Sequence, residues 1–194
     1  MQFVGDFSIA SGICDRLIEL HRACERRGLA KAGRLYARGQ DDTVVDVAKK
    51  DSLDVRVGDI PEALQNEHGV PDYIRELQRC TREYVERFRH LRVAQFGVTE
   101  SPIIQHYRPG GGFKAEHFER AGVATCTRML VWMTYLNDVT DGGGTRFVYQ
   151  DATFEARRGR TLIWPPDFTH THAGVVSPTQ HKYIITGWFN FVGS

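Results

Sequence analysis

The stretch "FKAEHFERAG", residues 113–122, sets His117 two positions before Glu119. On an extended backbone, alternate side chains share a face, so this imidazole and this carboxylate would point the same way and Phe118 the other. One imidazole and one carboxylate side by side are two legs of a facial metal site. A third ligand must come from a distant strand. The arrangement of two histidines and one carboxylate with open positions is typical of non-haem Fe(II) oxygenases. His170 and His172 share the parity needed for the third leg, and spacing alone does not choose between them. Zinc also takes His and Glu, but catalytic zinc histidines often come from one helix as HExxH, a motif this chain lacks.

The elements that would carry these residues divide the chain in two. In "SGICDRLIELHRAC", Ile13, Leu17, Leu20 and Cys24 recur at helical spacing, with Ser11 as N-cap. In "PDYIRELQRCTREYVERF", Ile74, Leu77, Thr81, Tyr84 and Phe88 repeat the pattern and Pro71 suits the start. Residues 31–70 read as irregular, with one short strand around "TVVDV" and a role as a lid or substrate loop. From residue 101 onward the character changes. "SPIIQHYRPG", "CTRMLVWMTYLND", "TRFVYQ", "ATFEARRG", "TLIWPP" and "KYIITGWFNFV" are short segments rich in β-branched and aromatic residues, punctuated by Gly, Pro or Asp. The glycine triplets at 110–112 and 142–144 lack the following helix and Lys-Ser/Thr pair of a phosphate loop, and read as tight turns. The expected fold is α+β, a compact β core buttressed by N-terminal helices: one domain over 1–194, with 1–100 as helical support and substrate loops and 101–194 as the catalytic core.

Bulk composition narrows the function classes. A net charge of +1 gives no global field toward nucleic acid or anionic membrane. A local basic stretch (Arg22, Arg26, Arg27, Lys31, Arg34, Arg38) is first a solvated face and second an anion patch. The four cysteines, Cys14, Cys24, Cys80 and Cys126, form no CxxC pair. No apolar run approaches the ~20 residues of a membrane span, and the N-terminus lacks a signal-peptide pattern. A cytoplasmic location is the expectation, and no oligomeric state is implied.

The segments "HYRPGGGFKAEHFE", "TRMLVWMTYLNDVTDGGGTRF", "RRGRTLIWPP" and "HAGVVSPTQHKYIITGWF", in that order and at those spacings, resemble the prolyl 4-hydroxylase-like Fe(II)/2-oxoglutarate dioxygenases over roughly residues 104–192. The resemblance implies a double-stranded β-helix (jelly-roll, cupin-like) core, and Fe(II) held by His117, Glu119 and His172. His172 is preferred over His170 because the family's second histidine precedes a basic residue by about ten positions, here Lys182. Lys182 would pair with the distal carboxylate of the cosubstrate 2-oxoglutarate, with Tyr107 and Thr186 also in the cosubstrate pocket. Arg128, Trp188 and His170 are candidates for the substrate cleft. The family's usual aspartate is replaced by Glu119. The implied reaction consumes 2-oxoglutarate and O2, with ascorbate as a candidate reductant, and hydroxylates a prolyl residue in a peptide or protein, or a small proline-like amino acid. Two other readings are a nucleic-acid-demethylating dioxygenase and a non-catalytic metal-binding jelly roll.

Overall fold

The computed structural model describes residues 2–36 and 42–193. In chain order the first half contains β1 (Gly5–Ser8), α1 (Ser11–Arg26), β2 (Lys31–Ala32), β3 (Leu35–Tyr36), β4 (Thr43–Val44), β5 (Lys50–Asp51), β6 (Leu53–Arg56), α2 (Glu62–Glu67), α3 (Val70–Arg87) and β7 (Phe96–Gly97). The second half is β8 (Ile103–Tyr107), β9 (Gly112–Phe113), β10 (Arg128–Tyr135), β11 (Thr145–Phe147), β12 (Ala152–Phe154), β13 (Arg160–Trp164), β14 (His172–Gly174) and β15 (Lys182–Phe191). A large antiparallel sheet runs β1-β13-β10-β15-β8-β6-β2, with β7 also paired to β15; a small sheet runs β12-β11-β14. The two sheets form the expected jelly-roll core.

Strand alternation assigns the two faces of the large sheet. On β10, Leu130 and Trp132 pack with α1 and α3 residues such as Leu17, Leu20, Tyr73 and Leu77. Val131, Met133 and Tyr135 pack instead with Phe147 and Phe154 of the small sheet. The helices therefore cover one face and the small sheet the other, and any site between the sheets is walled off from the helices. α3 starts with Pro in its first turn, as anticipated, whereas α1 is preceded by Ala10 with Ser11 already helical, and Ser11 makes no cap hydrogen bond. Gly142 and Gly143 have φ of +126° and +72°, which confirms that this triplet is a turn that L side chains would strain.

The expectation for residues 31–70 needs correction. "TVVDV" does contribute a strand, β4, in a hairpin with β3. The same segment also holds α2 and, more importantly, β6, which pairs β8 in the large sheet. β6 escaped notice because it is short and its strand state rests on pairing with β8. Val55 is buried in the helix-side core, while Asp54 lies opposite Gln105 on the other face. There it accepts from Lys50 (2.7 Å) and Gln105 (3.2 Å). At four residues the apolar/polar alternation of β6 is too short to stand out as a strand. Arg38 of the basic stretch lies outside the described residues.

Candidate metal centre

His117, Glu119 and His172 converge. One ligand atom from each can be chosen so that all lie within 4.8 Å of one another. Oε1 of Glu119 is 3.4 Å from Nε2 of His117 and 3.6 Å from Nε2 of His172. Ligands ~2.1 Å from a shared ion lie ~3.0–3.4 Å apart, for octahedral to tetrahedral angles, so these separations are close to those of a ligand shell. The backbone brings the two histidines together: His117 and His172 exchange N–H···O bonds of 3.0 and 2.9 Å as an isolated antiparallel bridge. The stretch 113–122 is otherwise not a strand beyond Phe113, contrary to expectation, and Glu119 is held by donating its own N–H to Pro166 O at 2.9 Å. Phe118 is half-buried rather than set in the core.

The chemistry of the donors fits a divalent iron. Nδ1 of His117 lies 2.9 Å from Ala115 O, and Nδ1 of His172 lies 2.9 Å from His170 O. A carbonyl can only accept, so each Nδ1 carries the proton and each Nε2 keeps its lone pair for the centre. Phe113 stacks on His117 at 3.6 Å, and Trp164 meets His172 edge-on at 5.1 Å, so both rings are fixed in orientation. Burial raises the Glu119 carboxyl, and only when His117 and His172 are protonated do their charge and hydrogen bonds override it and hold the carboxyl well below the usual range; a metal cation on the same nitrogens would favour the carboxylate in the same sense. His172 is lowered by burial first and by His117 second, which keeps it neutral and able to ligate.

Trp188 and Arg128 grip the far side of the same carboxylate. Trp188 Nε1 donates to Oε2 of Glu119 at 3.1 Å. Arg128 donates to Glu119 O at 3.0 Å, approaches Oε2 at 3.5 Å, pairs with Glu100 at 2.6 Å and lies 3.6 Å above the Trp188 ring. Simple alternation would place Arg128 with Leu130 and Trp132 on the helix side. The register against β15 shifts between Arg128 and Leu130, a bulge that turns Arg128 to the site. The proposed cleft residues Arg128 and Trp188 thus orient Glu119. On the open side, the exposed Tyr36 of the β3–β4 hairpin lies 5.9 Å from the Arg128 guanidinium.

Lys182 is buried (5% exposed) on β15, opposite Tyr107 of β8. Its ammonium lies 4.7 Å from the Tyr107 ring centre, and among the described residues no carboxylate pairs with it. Burial lowers it to about 8. An unpaired buried ammonium fits one terminal carboxylate of a diacid, whose charge would replace the lost hydration. Tyr107 offers its ring there, because its hydroxyl donates to Gln105 Oε1 at 2.6 Å. Thr186 donates its hydroxyl to Trp132 O at 2.8 Å, which leaves no proton for a carboxylate.

His170 is placed elsewhere. It closes a 3-10 turn rather than sharing a strand with His172, and Nε2 lies 3.2 Å from Gln2 O with Phe3 beside the ring. It is buried under the N-terminal segment and does not line the cleft. Sequence reasoning missed Phe113, Gln105, Asp54 and Lys50. Gln105 was the readable one, since its two-residue spacing from Tyr107 puts both on one strand face.

Residues 102–190 match the family model of the 2OG-Fe(II) oxygenase superfamily. No curated protein sequence matches the chain. Similar solved structures include a viral collagen prolyl hydroxylase of Paramecium Bursaria Chlorella virus-1 (TM-score 0.69, 19% identity, covering 98% of this chain and 97% of that one). A prolyl-4-hydroxylase of Pseudomonas putida aligns with TM-score 0.67 and 16% identity, over 96% of this chain and 92% of that one. A prolyl hydroxylase of Trichoplax adhaerens, in complex with a hypoxia inducible factor oxygen degradation domain peptide fragment, aligns with TM-score 0.72 and 16% identity, over 96% and 84%. At these identities the likeness is one of fold.

Proposed function

We propose, on the premise that residues 102–190 belong to the 2OG-Fe(II) oxygenase superfamily, that this 2-oxoglutarate-dependent dioxygenase hydroxylates prolyl residues in peptides. The observation that carries the reading is the conjunction of His117, Glu119 and His172 with the buried Lys182, which has no carboxylate partner among the described residues. The peptide class is supported by the fold shared with prolyl hydroxylases, one of them holding a peptide.

Iron(II) bound with 2-oxoglutarate and O2 supplies oxidative decarboxylation coupled to C–H hydroxylation, giving succinate, CO2 and the hydroxylated product. Nε2 of His117, Nε2 of His172 and Oε1 of Glu119 would hold the metal on one face and leave the opposite face open. Trp188 and Arg128 hold Oε2, so Glu119 presents a single oxygen. That restraint is how the longer glutamate would serve where an aspartate is usual. Lys182 would bind the far carboxylate of 2-oxoglutarate and orient the molecule, with Tyr107 screening the ammonium from water. Tyr36, at the open side beside Arg128, would contact the substrate chain.

The test is to incubate the protein with Fe(II), 2-oxoglutarate and a panel of proline-containing peptides, free proline and other free amino acids. Succinate should form together with a gain of one oxygen mass on prolyl peptides. Succinate production without oxygen gain on any prolyl peptide would overturn the substrate assignment. No succinate under any condition would overturn the reaction.

A further inference from the structure

A second cluster of metal-ligating side chains lies on the helix side of the large sheet, away from the centre described above. His21 and Glu25 are one helical turn apart on α1 and so share a face. His106 of β8 reaches the same point, and one ligand atom from each of the three can be chosen so that all lie within 4.8 Å of one another. His21 and His106 are buried, at 0% and 5% exposed, with ring centroids 5.6 Å apart. Glu25 is half-buried, so the cluster opens to solvent at one side.

The buried rings each leave a nitrogen unused. Nε2 of His21 lies 3.0 Å from Leu53 O, a pure acceptor, so that nitrogen carries the proton and Nδ1 keeps a lone pair. Nε2 of His106 lies 2.9 Å from Nδ1 of His181. When His106 donates there, its own Nδ1 likewise keeps a lone pair. Neither Nδ1 has a hydrogen-bond partner among the described residues. Two buried acceptors without donors are costly, and a shared cation would satisfy both. Both rings are also disfavoured as cations, His21 by burial and His106 by burial and the neighbouring His21, so they stay neutral as ligation requires. Arg108 lies 3.5 Å from Oε1 of Glu25, an exposed contact that leaves the other carboxylate oxygen available.

We propose that His21, Glu25 and His106 form a second metal site, suited to a borderline divalent cation of the zinc(II) type, that fastens α1 to the large sheet. Two imidazoles and one carboxylate disfavour calcium and magnesium, which take oxygen shells. His181 would act behind His106, fixing its tautomer as outer hydrogen-bond partners of metal-binding histidines do.

The experiment uses the full chain freed of metal with chelator, and zinc(II) as the probe. Bound zinc is counted after dialysis, and melting temperature is followed. The paired variant H117A/H172A disables the other centre. It should retain one zinc equivalent and melt higher with zinc than without. Adding E25A should remove both the equivalent and the shift, while the metal-free melting temperature barely moves. If H117A/H172A binds no zinc, or if E25A leaves its zinc binding unchanged, the proposal fails. Should the paired variant not fold, wild type against E25A decides: two equivalents against one supports the site, and equal counts overturn it.

Discussion

Replacing Lys182 by methionine should weaken function and strengthen the fold together. Methionine keeps a similar unbranched stem and removes the charge. In the metal-free, cosubstrate-free protein the ammonium is buried without a partner among the described residues, and its pKa falls from the ordinary 10.5 to about 8. That difference corresponds to ~3 kcal/mol of penalty on the charged form. The sign follows from proton uptake. Below about 8 both folded and unfolded chains carry the proton, and the penalty is fully present. Between about 8 and 10.5 the folded chain sheds the proton while the unfolded chain keeps it, so stability rises with pH. Lys182→Met should therefore be more stable than wild type at pH 7, by up to ~3 kcal/mol, with the gap closing as pH approaches 10.5. Urea denaturation of both proteins at pH 7 and pH 10 measures this. The same substitution removes the partner of a carboxylate in a dry pocket, a loss of ~3 kcal/mol or more. The KM for 2-oxoglutarate, from initial rates of succinate formation, should rise at least ~100-fold. The reasoning is refuted if Lys182→Met is less stable than wild type at pH 7, or if KM for 2-oxoglutarate changes by less than about threefold.

Further substitutions probe the other parts. His172→Ala should abolish succinate formation and weaken iron binding by dialysis, whereas His170→Ala should keep both and lose stability, because His170 contacts Gln2 and Phe3 instead of the centre. Trp188→Phe keeps the ring beneath Arg128 but loses the N–H held by Glu119; metal affinity or turnover should drop ~10–100-fold, the usual range for a partner of a ligand. Gly187→Ala would drive a Cβ into the indole ring of the buried Trp132. Overpacking there should lower stability by ~1–3 kcal/mol, read as a fall in melting temperature.

Much of the site was legible in the residue order because its logic is local. Helical and two-residue periods place side chains on faces without reference to any distant partner. They were enough to find both long helices and to put His117 beside Glu119; the same period would have set Gln105 on the face of Tyr107, a reading that was missed. Lys182 was found differently, by its interval from His172 within a family motif. What the residue order could not decide concerned pairings between distant segments, and departures from ideal alternation. Spacing left His170 beside His172 and only the family interval to Lys182 preferred His172; in the fold His172 is bridged to a residue 55 positions earlier, while His170 closes a turn under the N-terminus. Arg128 reached Glu119 because a bulge broke the alternation that would have sent it to the helices. β6 stayed hidden because its two-residue alternation spans only four residues, and its place in the sheet is set by pairing with β8 about 50 positions later. His21 and Glu25 have helical spacing, but their meeting with His106 depends on how α1 docks on β8. The chain thus carries its local geometry in its periods, while the closure of both clusters is decided by packing, since only the folded sheet brings residues so far apart in sequence within ligand distance.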